Sequence, residues 1–141
     1  MNADLMPIQL AGMEAGDIVM EFSPPASTLP DLARYAEASG DLNPLHLDLE
    51  FARQAGFENL VVHGMLGMAQ LGWLLSEAFP IESIRSFQVR FEGVVIVGQS
   101  VRYSARLGQL TDSEVDLALE ASLESGVRVM VGRALVVRRG F

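Results

Sequence analysis

A chain of 141 residues with a net charge of -8, half apolar and a fifth charged, has the size and balance of one folded domain. The acidic balance argues against a nucleic-acid or anionic-membrane partner, since both favour basic surfaces. All ten basic residues are arginines and cysteine is absent, which excludes Schiff-base chemistry, disulfides, thiolate nucleophiles and cysteine-ligated metals on this chain.

The stretch Met1 to Pro7 lacks the basic start and apolar run of a signal peptide, and no apolar stretch reaches membrane-spanning length. A cytoplasmic protein is expected. Residues 1–84 hold twelve acids and two arginines, whereas residues 85–141 hold six acids and eight arginines. The two halves differ in periodicity as well.

In chain order, Ile18 to Phe22 is the first expected strand. Thr28, followed by Pro30 and Asp31, has the pattern of a capped helix start, and Gly40 is placed to end that helix after Ser39. Asp48 can cap a second short helix that ends before Gly56. A third is expected from about Gly64 to Phe79, stopped by Pro80. It is apolar on nearly every side, the mark of a buried helix, and Gly67 and Gly72 would let sheet residues approach it closely.

Residues 84–137 read as strands. Phe87, Val89 and Phe91 alternate with polar residues, as do Val101, Tyr103, Ala105 and Leu107, and then Val115, Leu117, Leu119, Ala121 and Leu123. Turn signals fall at Gly98-Gln99, Gly108 to Asp112 and Ser125-Gly126. The last strand, Val127 to Val137, is the most apolar and is expected at the centre of the sheet. The fold class is α+β: an antiparallel sheet wrapped around one long buried helix, a hot-dog arrangement, as a single domain over residues 1–141.

Chemistry concentrates in residues 39–46, Ser-Gly-Asp-Leu-Asn-Pro-Leu-His. Pro44 holds its own φ and drives Asn43 to an extended conformation, so Asp41 and His46 lie at the two ends of a stiff loop. A turn there brings a carboxylate and an imidazole to one site. Taken singly, Asp41 also fits a turn cap and His46 a packed side chain. Seventeen residues on, His63-Gly64-Met65 opens the apolar helix, where unpaired amides and the helix dipole suit a developing oxyanion. Gly64 fits close packing equally well.

The run from Tyr35 to Asp48, then Ala52, Gly56-Phe57 and Val62-His63-Gly64-Met65, closely resembles the MaoC-like dehydratase family, which includes R-specific enoyl-CoA hydratases and acyl-carrier-protein dehydratases. Val89-Arg90-Phe91 through Val97-Gly98 is similar to the family's strand and turn, with Val94 and Gln99 where many members carry proline and aspartate. Some R-hydratases have a serine on the buried helix near the aspartate, where this chain has Gly72. The resemblance implies hydration of trans-2-enoyl thioesters, or dehydration of 3-hydroxyacyl thioesters, carried by coenzyme A or acyl-carrier protein. It implies Asp41 and His46 as the acid/base pair, Gly64 as the oxyanion donor, and Asn43, His63 and Met65 around the substrate. A homodimer or higher homo-oligomer is implied, with neither cofactor nor metal.

Other readings stay open on the residues alone. Asp41, His46, Asp48 and His63 include enough ligand types for a metal, although histidines seventeen apart lack the spacing of common zinc motifs. Arg90, Arg102 and Arg106 are able to meet coenzyme A phosphates, but their polar strand positions place them toward water. A hot-dog thioesterase shares such a fold and leaves His46 without a role. A non-catalytic partner subunit is expected to lack the acid/base pair that this chain retains, which makes this chain the catalytic member of any unlike pair.

Overall fold

Thr28 starts the first helix by reciprocal capping: its hydroxyl accepts from the Asp31 amide at 3.3 Å and its own amide donates to the Asp31 carboxylate at 2.9 Å. This detail and those below come from a computed structural model that describes residues 10–137. Helix α1 runs Leu29–Ser39 and ends at Gly40, whose φ of 77° is the left-handed value expected of its sequence position. Asp48 caps α2, Leu49–Gln54, by accepting from the Phe51 amide. Helix α3 covers Gly64–Ala78 and stops before Pro80.

Five strands follow the expected order: β1 Ile18–Phe22, β2 Ile84–Phe91, β3 Val101–Leu110, β4 Glu114–Leu123 and β5 Arg128–Val137. They form one antiparallel sheet in the order β1-β3-β4-β5-β2. β5 is therefore interior, as its apolar sequence suggested, but β4 holds the middle. The buried alternation predicted for β3 and β4 is present, with Val101, Tyr103, Ala105 and Leu107 on one and Val115, Leu117, Leu119 and Ala121 on the other. These side chains close over Leu71, Leu74 and Leu75 of α3 to make the main core. The architecture is the hot dog.

Three differences from the sequence reading have physical causes. β3 continues through Gly108 to Leu110, because a residue without a side chain fits against the Asp116 carbonyl; the turn begins at Thr111 instead. β5 carries an irregularity opposite Ala121-Ser122, so Val129 and Met130 are both buried although they are neighbours in sequence. Finally, α3 is buried on one side only. Met65 is 55% exposed and Trp73 50%, so an apolar stripe faces outward in the single chain. The expected close approaches are real: a Cβ on Gly67 would lie 2.6 Å from Met130 Cε, and one on Gly72 would lie 3.3 Å from the Phe87 ring.

A smaller core of Leu32, Ala52 and Leu60, with Leu45 and Leu66 packed on it, ties α1, α2 and the intervening loop to the start of α3. That satellite positions the site. No described helix is long and apolar enough to cross a membrane.

Candidate active site

Residues 39–46 are held by successive side-chain caps on the backbone. Ser39 Oγ accepts from the Asp41 amide, Asp41 Oδ1 from the Asn43 amide at 3.2 Å, and Asn43 Oδ1 from the Leu45 amide at 3.0 Å. Asn43 sits at ψ 126°, the extended value imposed by the proline after it. Pro44–His46 then winds into one 3₁₀ turn, a regular element where the sequence predicts only a stiff loop. That turn carries His46 inward to 9% exposure and leaves Asp41 outside, its side chain 49% exposed.

His46 Nδ1 lies 2.6 Å from the Val61 carbonyl oxygen. A carbonyl only accepts, so Nδ1 carries the hydrogen and Nε2 of the neutral ring presents a lone pair. Nε2 stands 3.7 Å from Asp41 Oδ2, too far for a direct hydrogen bond. One water can contact both atoms across that gap.

His63 is packed behind this pair at 1% exposure. Its ring stacks on His46 with centroids 3.8 Å apart and planes 22° from parallel, and Tyr35 meets its edge at 4.8 Å. Its Nε2 is 3.2 Å from the Asp41 carbonyl oxygen and donates to it, while buried Nδ1 has no partner among the described residues. Burial, chiefly, holds His63 below the ordinary histidine value, and the neighbouring His46 charge lowers it further against the opposing bond to Asp41. The unfolded chain therefore takes up a proton near 6.5 that the fold refuses, so His63 costs stability progressively as pH falls below that value, and the cost stops growing, but persists, below its own lowered pKa. We expect wild type to lose more stability than His63→Phe between about pH 7.5 and about pH 5.5, measured by urea unfolding.

The ligand atoms of Asp41, His46 and His63 lie within 4.8 Å of one another, close enough for a metal by distance. Stacking opposes it. An imidazole nitrogen coordinates along a lone pair in its own ring plane, and two rings stacked at 3.8 Å with planes only 22° apart share no point within bonding distance of both nitrogens.

Beside the pair lies a cavity of about 170 Å³ reached by His46, His63 and Gly64. Gly64 is the first residue of α3, so its amide and that of Met65 have no acceptor within the helix. A Cβ on Gly64 would lie 3.2 Å from the Phe91 ring, so a side chain there requires that half-exposed ring to shift by a few tenths of an ångström. The deeper wall is Gly67, Val101, Tyr103, Val129 and Met130. Sequence reasoning missed this wall, although the alternation in β3 had placed Val101 and Tyr103 on the covered face. Asn43 and the Met65 side chain do not line the cavity, and neither do Arg90, Arg102 or Arg106, which are exposed as expected.

A family model for the MaoC like domain matches residues 17–124, which include the loop, both histidines and Gly64. The chain belongs to the MaoC-like dehydratase family. Among MaoC-like relatives, it is 33% identical over 110 residues to the (R)-specific enoyl-CoA hydratase of Aeromonas caviae, across 75% of this chain and 82% of that one. It is 39% identical over 89 residues to the mitochondrial 3-hydroxyacyl-[acyl-carrier-protein] dehydratase of Arabidopsis thaliana, covering 63% of this chain and 52% of the relative. The chain thus spans about half the length of that relative. In solved structures, the A. caviae (R)-hydratase superposes with a TM-score of 0.79 at 28% identity, over 89% of this chain and 97% of the other.

Proposed function

We propose that this MaoC-like chain is a hydro-lyase that adds water to trans-2-enoyl thioesters with R configuration at C3 and, in reverse, dehydrates 3-hydroxyacyl thioesters. The observation that carries the reading is the 3.7 Å approach of Asp41 Oδ2 to His46 Nε2, which lets one water contact both from the side, next to a cavity lined by His46 and by Gly64 at the start of α3.

Water is a poor nucleophile, and C3 of an enoyl thioester accepts it only if charge arriving on the thioester oxygen is stabilised. Asp41 and His46 hold the water between them. Nε2 takes one proton as the oxygen bonds to C3. The electron pair moves to the carbonyl oxygen, which the Gly64 amide and the positive end of α3 stabilise. The proton then passes to C2, the carbonyl re-forms, and the ring is neutral again. His63 keeps the pair in register by fixing the Asp41 backbone and the plane of His46. No step requires a cofactor. The carrier is coenzyme A or acyl-carrier protein, and a cytoplasmic setting belongs to the same proposal.

We also infer a homodimer. The outward stripe of Met65, Ala69 and Trp73 on α3 repeats every four residues, and β2 is a sheet edge with one described neighbour. Light scattering should give twice the chain mass, and Trp73→Glu should shift it toward one; a monomeric wild type removes the inference.

The test of function is disappearance of the conjugated enoyl thioester on adding the protein to trans-2-enoyl-CoAs, with chiral analysis of the 3-hydroxyacyl product. Release of free thiol without hydration would instead indicate a hot-dog thioesterase.

A further inference from the structure

Two polar side chains stand in the deep wall of the cavity, and the hydration chemistry uses neither. Tyr103 on β3 is 5% exposed, and its hydroxyl makes no hydrogen bond with the described residues. That hydroxyl lies 3.7 Å from where a Cβ on Gly67 would be, a position the flexible Met130 methyl approaches to 2.6 Å, so the phenol meets the cavity beside Gly67 and the end of Met130. Burial raises the phenol to about 12, which keeps the hydroxyl a donor at neutral pH. Gln70 lies one turn along the same helix face from Gly67, half-buried and also lining the cavity without a hydrogen-bond partner among the described residues. Val101, Val129 and Met130 make the rest of this wall apolar.

His46 and Gly64 line the same cavity, so an acyl chain presenting C3 to the Asp41–His46 pair continues among these side chains. An empty cavity lets water satisfy the phenol and the amide. A plain hydrocarbon tail long enough to fill it expels that water and strands both groups. An oxygen on the tail replaces the water: the phenol donates to it, and the amide donates or accepts.

Resting on the hydratase reading above, we propose that the preferred substrates are enoyl thioesters whose acyl chain bears an oxygen function, a hydroxyl or a carbonyl, beyond C3, bound by Tyr103 and Gln70. Sites built around such a bond discriminate strongly against the analogue that lacks it.

The test compares ω-hydroxy-trans-2-enoyl-CoAs with their ω-methyl isosteres over several chain lengths. At the length that reaches the wall, wild type should favour the hydroxyl by roughly ten- to a hundredfold in kcat/KM. Tyr103→Phe, shown folded by thermal unfolding, should bring that ratio close to unity or reverse it, and Gln70→Met should reduce it. A wild-type ratio near unity at every length, or a ratio unchanged in both variants, overturns the proposal. Calorimetry with the saturated, unreactive ω-hydroxyacyl- and ω-methylacyl-CoA pair reads the same preference without turnover. A protein that hydrates nothing yet binds the hydroxyl form more tightly refutes the hydratase reading and sustains the pocket; equal binding of the two forms refutes the pocket.

Discussion

Replacing His46 by glutamine or Asp41 by asparagine should each lower kcat for enoyl-CoA hydration by about 10² to 10⁴, the ordinary contribution of a positioned acid/base group. The two side chains act on one water across a 3.7 Å gap, so they work as a unit. The double variant should therefore lose about as much as the worse single variant, not the product of the two. Stopped-flow or steady-state loss of the enoyl absorbance, with circular dichroism to show folding, checks both statements. Folded single variants with near-full activity would sink the mechanism. KM should move little, because the pair acts on water more than on the acyl chain.

The second large effect concerns the Gly64 amide. Proline is well tolerated at the first position of a helix, and it removes the N–H while leaving the helix intact. His63 already has the extended backbone that a following proline requires, at φ -55° and ψ 128°. Gly64→Pro should therefore fold and should lose about 10² to 10³ in kcat, the usual cost of one oxyanion donor. The control is Gly64→Ala, which keeps the amide and adds a Cβ 3.2 Å from the Phe91 ring, as proline also does. The loss due to the donor is the difference between the two variants. Equal activity in both would assign oxyanion stabilisation elsewhere.

What was legible in the sequence is what local chemistry determines. Thr28, Gly40, Asp48 and Pro80 delimit helices through groups three or four residues away, and each performs its expected task in the fold. The alternation in β3 and β4 likewise maps directly onto burial. Asp41 and His46 were singled out because a proline-stiffened loop joins them, and the structure brings them together.

The missing parts depend on contacts between distant segments. Nothing near His63 in the sequence says that its ring lies flat on His46, since the pairing is made by the satellite core around Leu32, Ala52 and Leu60. The irregularity that buries both Val129 and Met130 arises in the pairing of β4 with β5, where strand alternation alone sends one of them outward. The outward stripe on α3 was misread because a uniformly apolar helix has the same composition whether it is covered by its own chain or by another. The deep wall with Tyr103 was hidden in plain alternation: a buried strand position looks the same whether it fills a core or faces a void.

The Val61 carbonyl that receives the His46 Nδ1 hydrogen belongs to the main chain, and the Val61 amide is itself anchored on the Leu45 carbonyl at 3.0 Å. Where a carboxylate side chain orients a histidine, one base change in the gene can delete the orienting group. Here no substitution at position 61 other than one that displaces the backbone can do so. Val61 also lines the cavity, so a change of its buried side chain reshapes what the cavity admits without removing that carbonyl. Tautomer and selectivity are thereby assigned to different atoms of a single residue, the main-chain oxygen and the side chain, so one can be altered by substitution without the other.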